Sequence, residues 1–180
     1  LIARTAYVGE VGLDGRVLSR LQKQTDVLTS VLTILQQQPR ITSLHSYNAT
    51  HALIEVLEQT PIQGAVLHWW LGDRNLTARA VELGAHFSVN ASNLKNTEAL
   101  DLIPLNRLLT ETDHPDGNRW SPQPRQPGNV SEVEKALGDL HGLTAAAFRA
   151  NCWKNLQALA STTETSKLLP VRVQRVLAEA

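Results

Sequence analysis

Glu10, His45, His68 and Asp113 are the residues of this chain whose types and spacing could do chemistry. Imidazole nitrogens and carboxylate oxygens together form a workable ligand set for zinc, manganese, iron or magnesium. The four lie 35, 23 and 45 residues apart, and each sits at or just past the end of a short apolar run. Those intervals match one, one and two strand-plus-helix units. Singly, each residue has an ordinary structural role. His45 could be a satisfied histidine at a strand end, and His68 a core histidine under the cover of Trp69 and Trp70. Glu10 could cap a turn, and Asp113, before His114 and Pro115, could be a turn residue. Four such residues brought to one edge of a sheet favour a metal site.

The elements that must position them alternate. Residues 5–12, the segment ending near His45, residues 64–70, residues 85–90 and residues 105–112 read as five strands, rich in apolar and β-branched side chains. Leu18, Leu21, Leu28, Val31, Leu32 and Leu35 fall at helical spacing over residues 18–37. Asn48 or Thr50 is the expected cap of a helix running to Leu57. Asp73 is the expected cap of a helix over residues 76–83, with Gly84 just past its end. Residues 93–102 read as one irregular helix, and the Pro/Gly-rich stretch 115–128 as a long surface loop. Asn129 and Glu132 form a candidate capping box for a helix ending near Gly142, and Thr144 is the cap for residues 145–159. The tail, residues 161–180, carries a weak helical pattern broken by Pro170. Mostly apolar strands alternating with helices mean parallel pairing with helices outside, as an open sheet or a barrel. Residues at one edge, after the strands, are where a β/α barrel gathers its chemistry.

Composition excludes several classes. The 180 residues are 42% apolar, with 17 Lys plus Arg against 17 Asp plus Glu. Zero net charge gives no bulk electrostatic drive toward nucleic acid. Cys152 is the only cysteine, so there is no internal disulfide framework, in keeping with a reducing compartment. No run approaches the roughly 18 apolar residues of a membrane span, and no signal-peptide pattern opens the chain. The expectation is a cytoplasmic protein with no membrane partner. The chain contains no methionine, and its opening, Leu1-Ile2-Ala3-Arg4, reads as a start in mid-fold.

"YVGEVGLDG", "LHS", "VLHWWLG" and "LLTETDHP" resemble, in order and spacing, the successive signatures of the TatD family of metal-dependent hydrolases, mostly deoxyribonucleases. The resemblance runs from about Arg4 to Leu159. The "GLDG", "LHS", "LHWW-G" and "FSV" variants look more like the branch found beside antiphage defence genes of the Qat type. The family implies a TIM barrel with a two-metal site at the C-terminal ends of its strands. By resemblance, Glu10 bridges both metals and His45 and His68 hold one. Asp113 touches the other and acts as general base on the attacking water. The implied activity is hydrolysis of phosphodiester bonds in DNA, at single strands or ends, with two divalent ions (Mg, Mn or Zn). The family's opening His-x-His pair is absent here, and a whole TIM barrel takes about 250 residues. The expected fold is therefore α/β: a partial barrel of about five parallel strands, matching strands 4–8 of the family, over residues 1–160. Residues 161–180 follow as a tail. Such a partial barrel is expected to be poorly stable alone, or to be completed by a missing N-terminal segment or a protein partner. Two other functions stay open: a related hydrolase of a small non-nucleic substrate, and a non-catalytic remnant or subunit.

Smaller departures concern substrate. Tyr47 stands where the family has an arginine, which puts a phosphate contact there in doubt. His114 replaces a small residue and adjoins Asp113, within reach of a substrate. Of Trp69 and Trp70, strand alternation lets at most one face the mouth and stack on a base. Arg119, beside Trp120, either grips single-stranded nucleic acid or belongs to a solvated loop. Asp14 reads as a residue that orients its neighbours. His51 is expected to face solvent, His86 to pack away from the site, His141 to suit a helix C-terminus, and Cys152 to be a core thiol.

Overall fold

Five strands follow one another across a single sheet in sequence order: β1 (Tyr7–Asp14), β2 (Ile41–Tyr47), β3 (Ala65–His68), β4 (His86–Val89) and β5 (Leu108–Thr110). Every adjacent pair is parallel. Parallel neighbours need a crossover between them. Three are supplied by α1 (Leu21–Gln37), α2 (Thr50–Gln59) and α3 (Arg74–Glu82). The β4–β5 crossover is irregular, as expected, a 3₁₀ turn at Ala91–Lys95 followed by the one-turn α4 (Thr97–Leu100). Beyond β5 come α5 (Ser131–Leu140), α6 (Ala145–Thr162) and α7 (Val171–Glu179). This computed structural model describes residues 2–95 and 97–179. Among these, no helix is long and apolar enough to cross a membrane.

The sheet's inner strands carry the core. All four residues of β3 and all four of β4 are buried, as helices on a parallel sheet require. From α1, Leu28, Leu32 and Leu35 enter the main cluster with Leu44, Leu67 and Phe87. Burying each such leucine stabilises by about 1.5–3 kcal/mol. A second cluster joins Ile41 and Val66 to Leu159 and Ala160 of α6 and to Leu169 and Leu177 of the tail. The tail is thus packed against the sheet. Pro170 starts its helix: the Pro170 carbonyl accepts the Gln174 N–H, and a fixed φ suits a helix entrance.

Local chemistry decides the helix ends. Asp73 accepts the Leu76 N–H at 2.9 Å, Thr144 accepts the Ala147 N–H at 3.1 Å, and Gly84 follows α3 at φ +78°. Two expected caps are not formed. Ala49 holds the N-cap of α2 without a side-chain bond, and Asn48 instead turns the chain at φ +50°. Val130 holds the N-cap of α5, and Asn129 turns to the Ser131 hydroxyl at 3.1 Å. β5 starts at Leu108, later than expected, because Pro104 accepts the Arg107 N–H and folds Leu105–Arg107 into a 3₁₀ turn. From α6, the Asn155 amide donates to the carbonyls of Leu105 (2.9 Å) and Leu108 (2.7 Å). Asn151 donates to Leu105 at 2.7 Å.

His86 opens β4 at the edge opposite the expected site and is buried. Burial first, and the nearby Arg107 charge second, pull its pKa down from 6.5 to about 4. A pKa lowered by folding makes the unfolded chain bind a proton that the folded chain refuses between those values. Stability from this group is therefore complete above about pH 6.5 and is lost as pH falls toward 4. From pH 7.5 to pH 5 the native protein should lose about 2 kcal/mol through His86. Urea midpoints at both pH values, compared with His86→Phe, check this. An equal pH drop in the variant would remove the imidazole from the account.

Candidate metal centre

Each of the four residues reaches the centre by a different local device. β1 pairs Val8 with Thr42 and then Val11 with Leu44, three steps on one strand against two on the other. The extra residue is a bulge, which re-aims a side chain. It contains Gly9, at φ +130°, where a Cβ would lie 2.7 Å from the Ser43 carbonyl oxygen. Glu10 therefore projects from mid-strand, four residues before the end of β1, and not from the strand end that the sequence led us to expect. His45 stands opposite Gly12 near the end of β2. His68 is the last residue of β3. Asp113 lies three residues past β5, in the left-handed region at φ +41°.

Glu10 is the meeting point. Its Oε1 lies 2.8 Å from His45 Nδ1 and its Oε2 3.3 Å from His68 Nε2. One ligating atom from each of Glu10, His45 and His68 falls within 4.8 Å of the others. Asp113 stands beside this trio, with Oδ1 3.8 Å from His68 Nε2.

A fifth residue organises the site, and sequence reasoning gave it no role. Glu111 Oε2 lies 2.8 Å from His68 Nδ1 and accepts the Ser88 hydroxyl. Its Oε1 accepts the Trp69 N–H and the Asn90 amide, both at 3.1 Å. With Nδ1–H given to Glu111, the lone pair of His68 is on Nε2, toward Glu10. The signal was a second carboxylate, Glu111, two residues before Asp113 and just past the end of β5.

The electrostatics suit a cation. Burial works to lower the pKa of His68, but Glu111, Glu10 and Asp113 outweigh it and the net direction is up. The Asp113 pKa is also raised, by burial first and by Glu111 and Glu10, against the opposing pull of His68. Half-buried carboxylates that hinder one another's ionisation are relieved by positive charge between them. Two imidazoles and a shared carboxylate are a donor set that fits a divalent ion.

These residues line an open cleft of ≈ 400 Å³ together with Trp69, Arg16 and Arg119. Trp69 faces the cleft, whereas Trp70 is buried and donates its indole N–H to Thr77 at 2.8 Å. Arg119 is steadied by the Asp116 carbonyl at 3.1 Å. His114 is not among the cleft-lining residues; its Nδ1 lies 3.0 Å from Asn118 Oδ1. Cys152 is half-buried, and burial, with Glu134 nearby, pushes its thiol up to about 12.

Residues 2–161 match the family of TatD related DNases. The chain belongs to the TatD family. A TatD homolog of Escherichia coli K12, 26% identical, superposes with a TM-score of 0.76 over 86% of this chain and 63% of that one. The expected fold class, α/β with parallel strands forming part of a β/α barrel, is the fold found. An uncharacterized metal-dependent hydrolase of Buchnera aphidicola is 32% identical over 163 residues, 79% of this TatD chain and 61% of the relative. The 3′-5′ ssDNA/RNA exonuclease TatD of Escherichia fergusonii is 27% identical over 167 residues, 84% of this chain and 64% of the relative. The TatD chain thus spans less than two thirds of the length of these relatives.

Proposed function

We propose that this TatD-family chain carries the chemistry of a metal-dependent hydrolase that cleaves phosphodiester bonds in single-stranded nucleic acid, with DNA the preferred substrate. The observation that carries it is the gathering of Glu10, His45 and His68 ligand atoms within 4.8 Å at an open cleft. Glu10 touches both histidines and is the shared ligand. His45 and His68 would hold one cation with it, and Asp113 would serve a second. A divalent ion bound there supplies Lewis-acid polarisation of a phosphoryl oxygen and a lower pKa for water. Mg, Mn and Zn are the candidates.

The protein's own groups do the rest. Glu111 fixes the His68 tautomer and ring orientation, so Nε2 is presented without reorganisation. Asp113 takes the proton of the attacking water as general base, a role its raised pKa favours. Trp69 offers a face on which a splayed base stacks, and Arg119 contacts a phosphate. The name of the Escherichia fergusonii relative supports a single-stranded substrate.

The test is cleavage of end-labelled single-stranded DNA, and of RNA of the same sequence, with Mg²⁺, Mn²⁺ or Zn²⁺ and with chelator. Cleavage should need metal, and Glu10→Ala should fall to background. Equal residual cleavage by the native protein and Glu10→Ala removes the nuclease reading.

A further inference from the structure

We infer that Arg16, stacked on Tyr47, grips a backbone phosphate of the bound single strand beside the one that is cleaved; this rests on the nuclease reading given above. β1 continues past Glu10 to Asp14, and Asp14 pairs with Tyr47 as Gly12 pairs with His45. Residues two apart on a strand share a face. Tyr47 is therefore on the His45 side of β2, one pleat repeat further toward solvent. Arg16 follows just beyond Asp14 and lines the same cleft as Glu10, His45 and His68.

An exposed arginine is ordinarily a solvated, mobile group. Arg16 is held by two neighbours, Tyr47 and Asp14. Its guanidinium carbon lies 5.4 Å from the centroid of the Tyr47 ring. Asp14 accepts from Nε at 3.0 and 2.9 Å and also from Nη2. The Arg16 backbone N–H donates to Asp14 Oδ1 at 3.0 Å. Asp14 is itself clamped: its N–H donates to Gln24 Oε1 at 2.6 Å, and Gln24 Nε2 donates back to its carbonyl at 3.1 Å. None of the described hydrogen bonds uses Nη1 of Arg16. The side chain is nonetheless 69% exposed. A planar cation is thus oriented in advance, with one edge on Asp14 and the side chain still open to the cleft. That arrangement suits an anion with two oxygens in a plane. In a cleft read as cleaving a phosphodiester, the matching group is the neighbouring phosphate of the same strand. Asp14 and Tyr47 lower the ordering entropy that the grip would otherwise cost.

The experiment follows binding of a fluorescein-labelled single-stranded DNA by anisotropy, with chelator present so that nothing is cut, across a salt series. Arg16→Ala should bind about tenfold more weakly. The slope of log affinity against log salt should shrink by about 0.7. Arg16→Lys should recover part of the slope but not the affinity, because ammonium neither stacks flat nor forks. Tyr47→Phe should bind as the native protein does, and Tyr47→Ala as weakly as Arg16→Ala. Titration of Mn²⁺ into Arg16→Ala should match the native protein, which separates loss of the grip from damage to the metal centre. Native affinity and slope in Arg16→Ala would overturn the inference. If the native protein cleaves and Arg16→Ala shares its KM, the grip falls and the nuclease reading stands. A native protein that neither binds nor cuts single strands removes both.

Discussion

Replacing Glu111 by alanine is expected to destabilise the fold by about 3–5 kcal/mol and to weaken cation binding about 10–100-fold in the protein that still folds. The carboxylate is fully used. It serves His68 Nδ1, the Trp69 N–H, the Ser88 hydroxyl and the Asn90 amide, four donors from two strands and the loops that follow them. Two carboxylate oxygens offer about four acceptor positions, so alanine leaves every donor without its partner. His68 and Ser88 are buried, and water does not readily replace what is lost. Glutamine should fail nearly as badly, although it keeps the shape. It turns one acceptor oxygen into a donor and sets its NH₂ against two other donors. Urea unfolding and Mn²⁺ titration of both variants check this. Native behaviour of either variant in both measurements would show Glu111 to be idle.

Gly12→Ala should be strongly damaging for a single methyl. A Cβ at position 12 would sit 2.1 Å from the His45 carbonyl oxygen, 2.7 Å from its nitrogen and 2.8 Å from its carbonyl carbon. All three are backbone atoms of the neighbouring strand, so no side chain can swing aside. At φ +156° the residue also lies at the limit of what an L side chain accepts. Overpacking and backbone strain together should cost about 3 kcal/mol or more. The strand pushed away is the one that carries His45, so cation affinity should fall with stability. Gly84→Ala is the contrast. Nothing lies within 4 Å of its Cβ position, at φ +78°, and only the conformational penalty of about 1 kcal/mol applies. Thermal melts of the two variants, each with a Mn²⁺ titration, should separate them. A Gly12→Ala protein that melts and binds like Gly84→Ala would contradict the tight β1–β2 contact.

The broad architecture was legible because apolar runs of strand length alternate with helical spacing, and parallel pairing follows from that alternation. The clustering of Glu10, His45 and His68 was legible because successive parallel strands carry them toward one edge. Glu10 is the instructive error. The pattern "YVGEVGLD" reads equally well with the strand stopping at Gly12. Nothing in it announces that two residues of β1 share one place opposite β2, apart from Gly9. Glu111 was in plain view beside Asp113, but its value comes from Ser88, Asn90 and His68 on two other strands and a connecting loop, and only the register aligns them. Tyr47 marked a lost arginine in the resemblance. That Arg16, just past the end of the adjacent strand, reaches the Tyr47 ring depends on the Asp14–Tyr47 pairing, which no local pattern encodes. The missed caps of α2 and α5 have a smaller cause. Several cap-forming residues stand side by side there, and backbone angles choose among them.

None of the residues that line the candidate cleft comes from α6, yet its Asn155 holds the carbonyl of Leu108, the first residue of β5. That strand is three residues long, so Glu111 and Asp113 follow almost at once. Asn155 is in effect a mooring: it ties the start of that short strand to a helix outside the cleft. Two carboxylates thus inherit their place from a tether that adds no side chain to the lining.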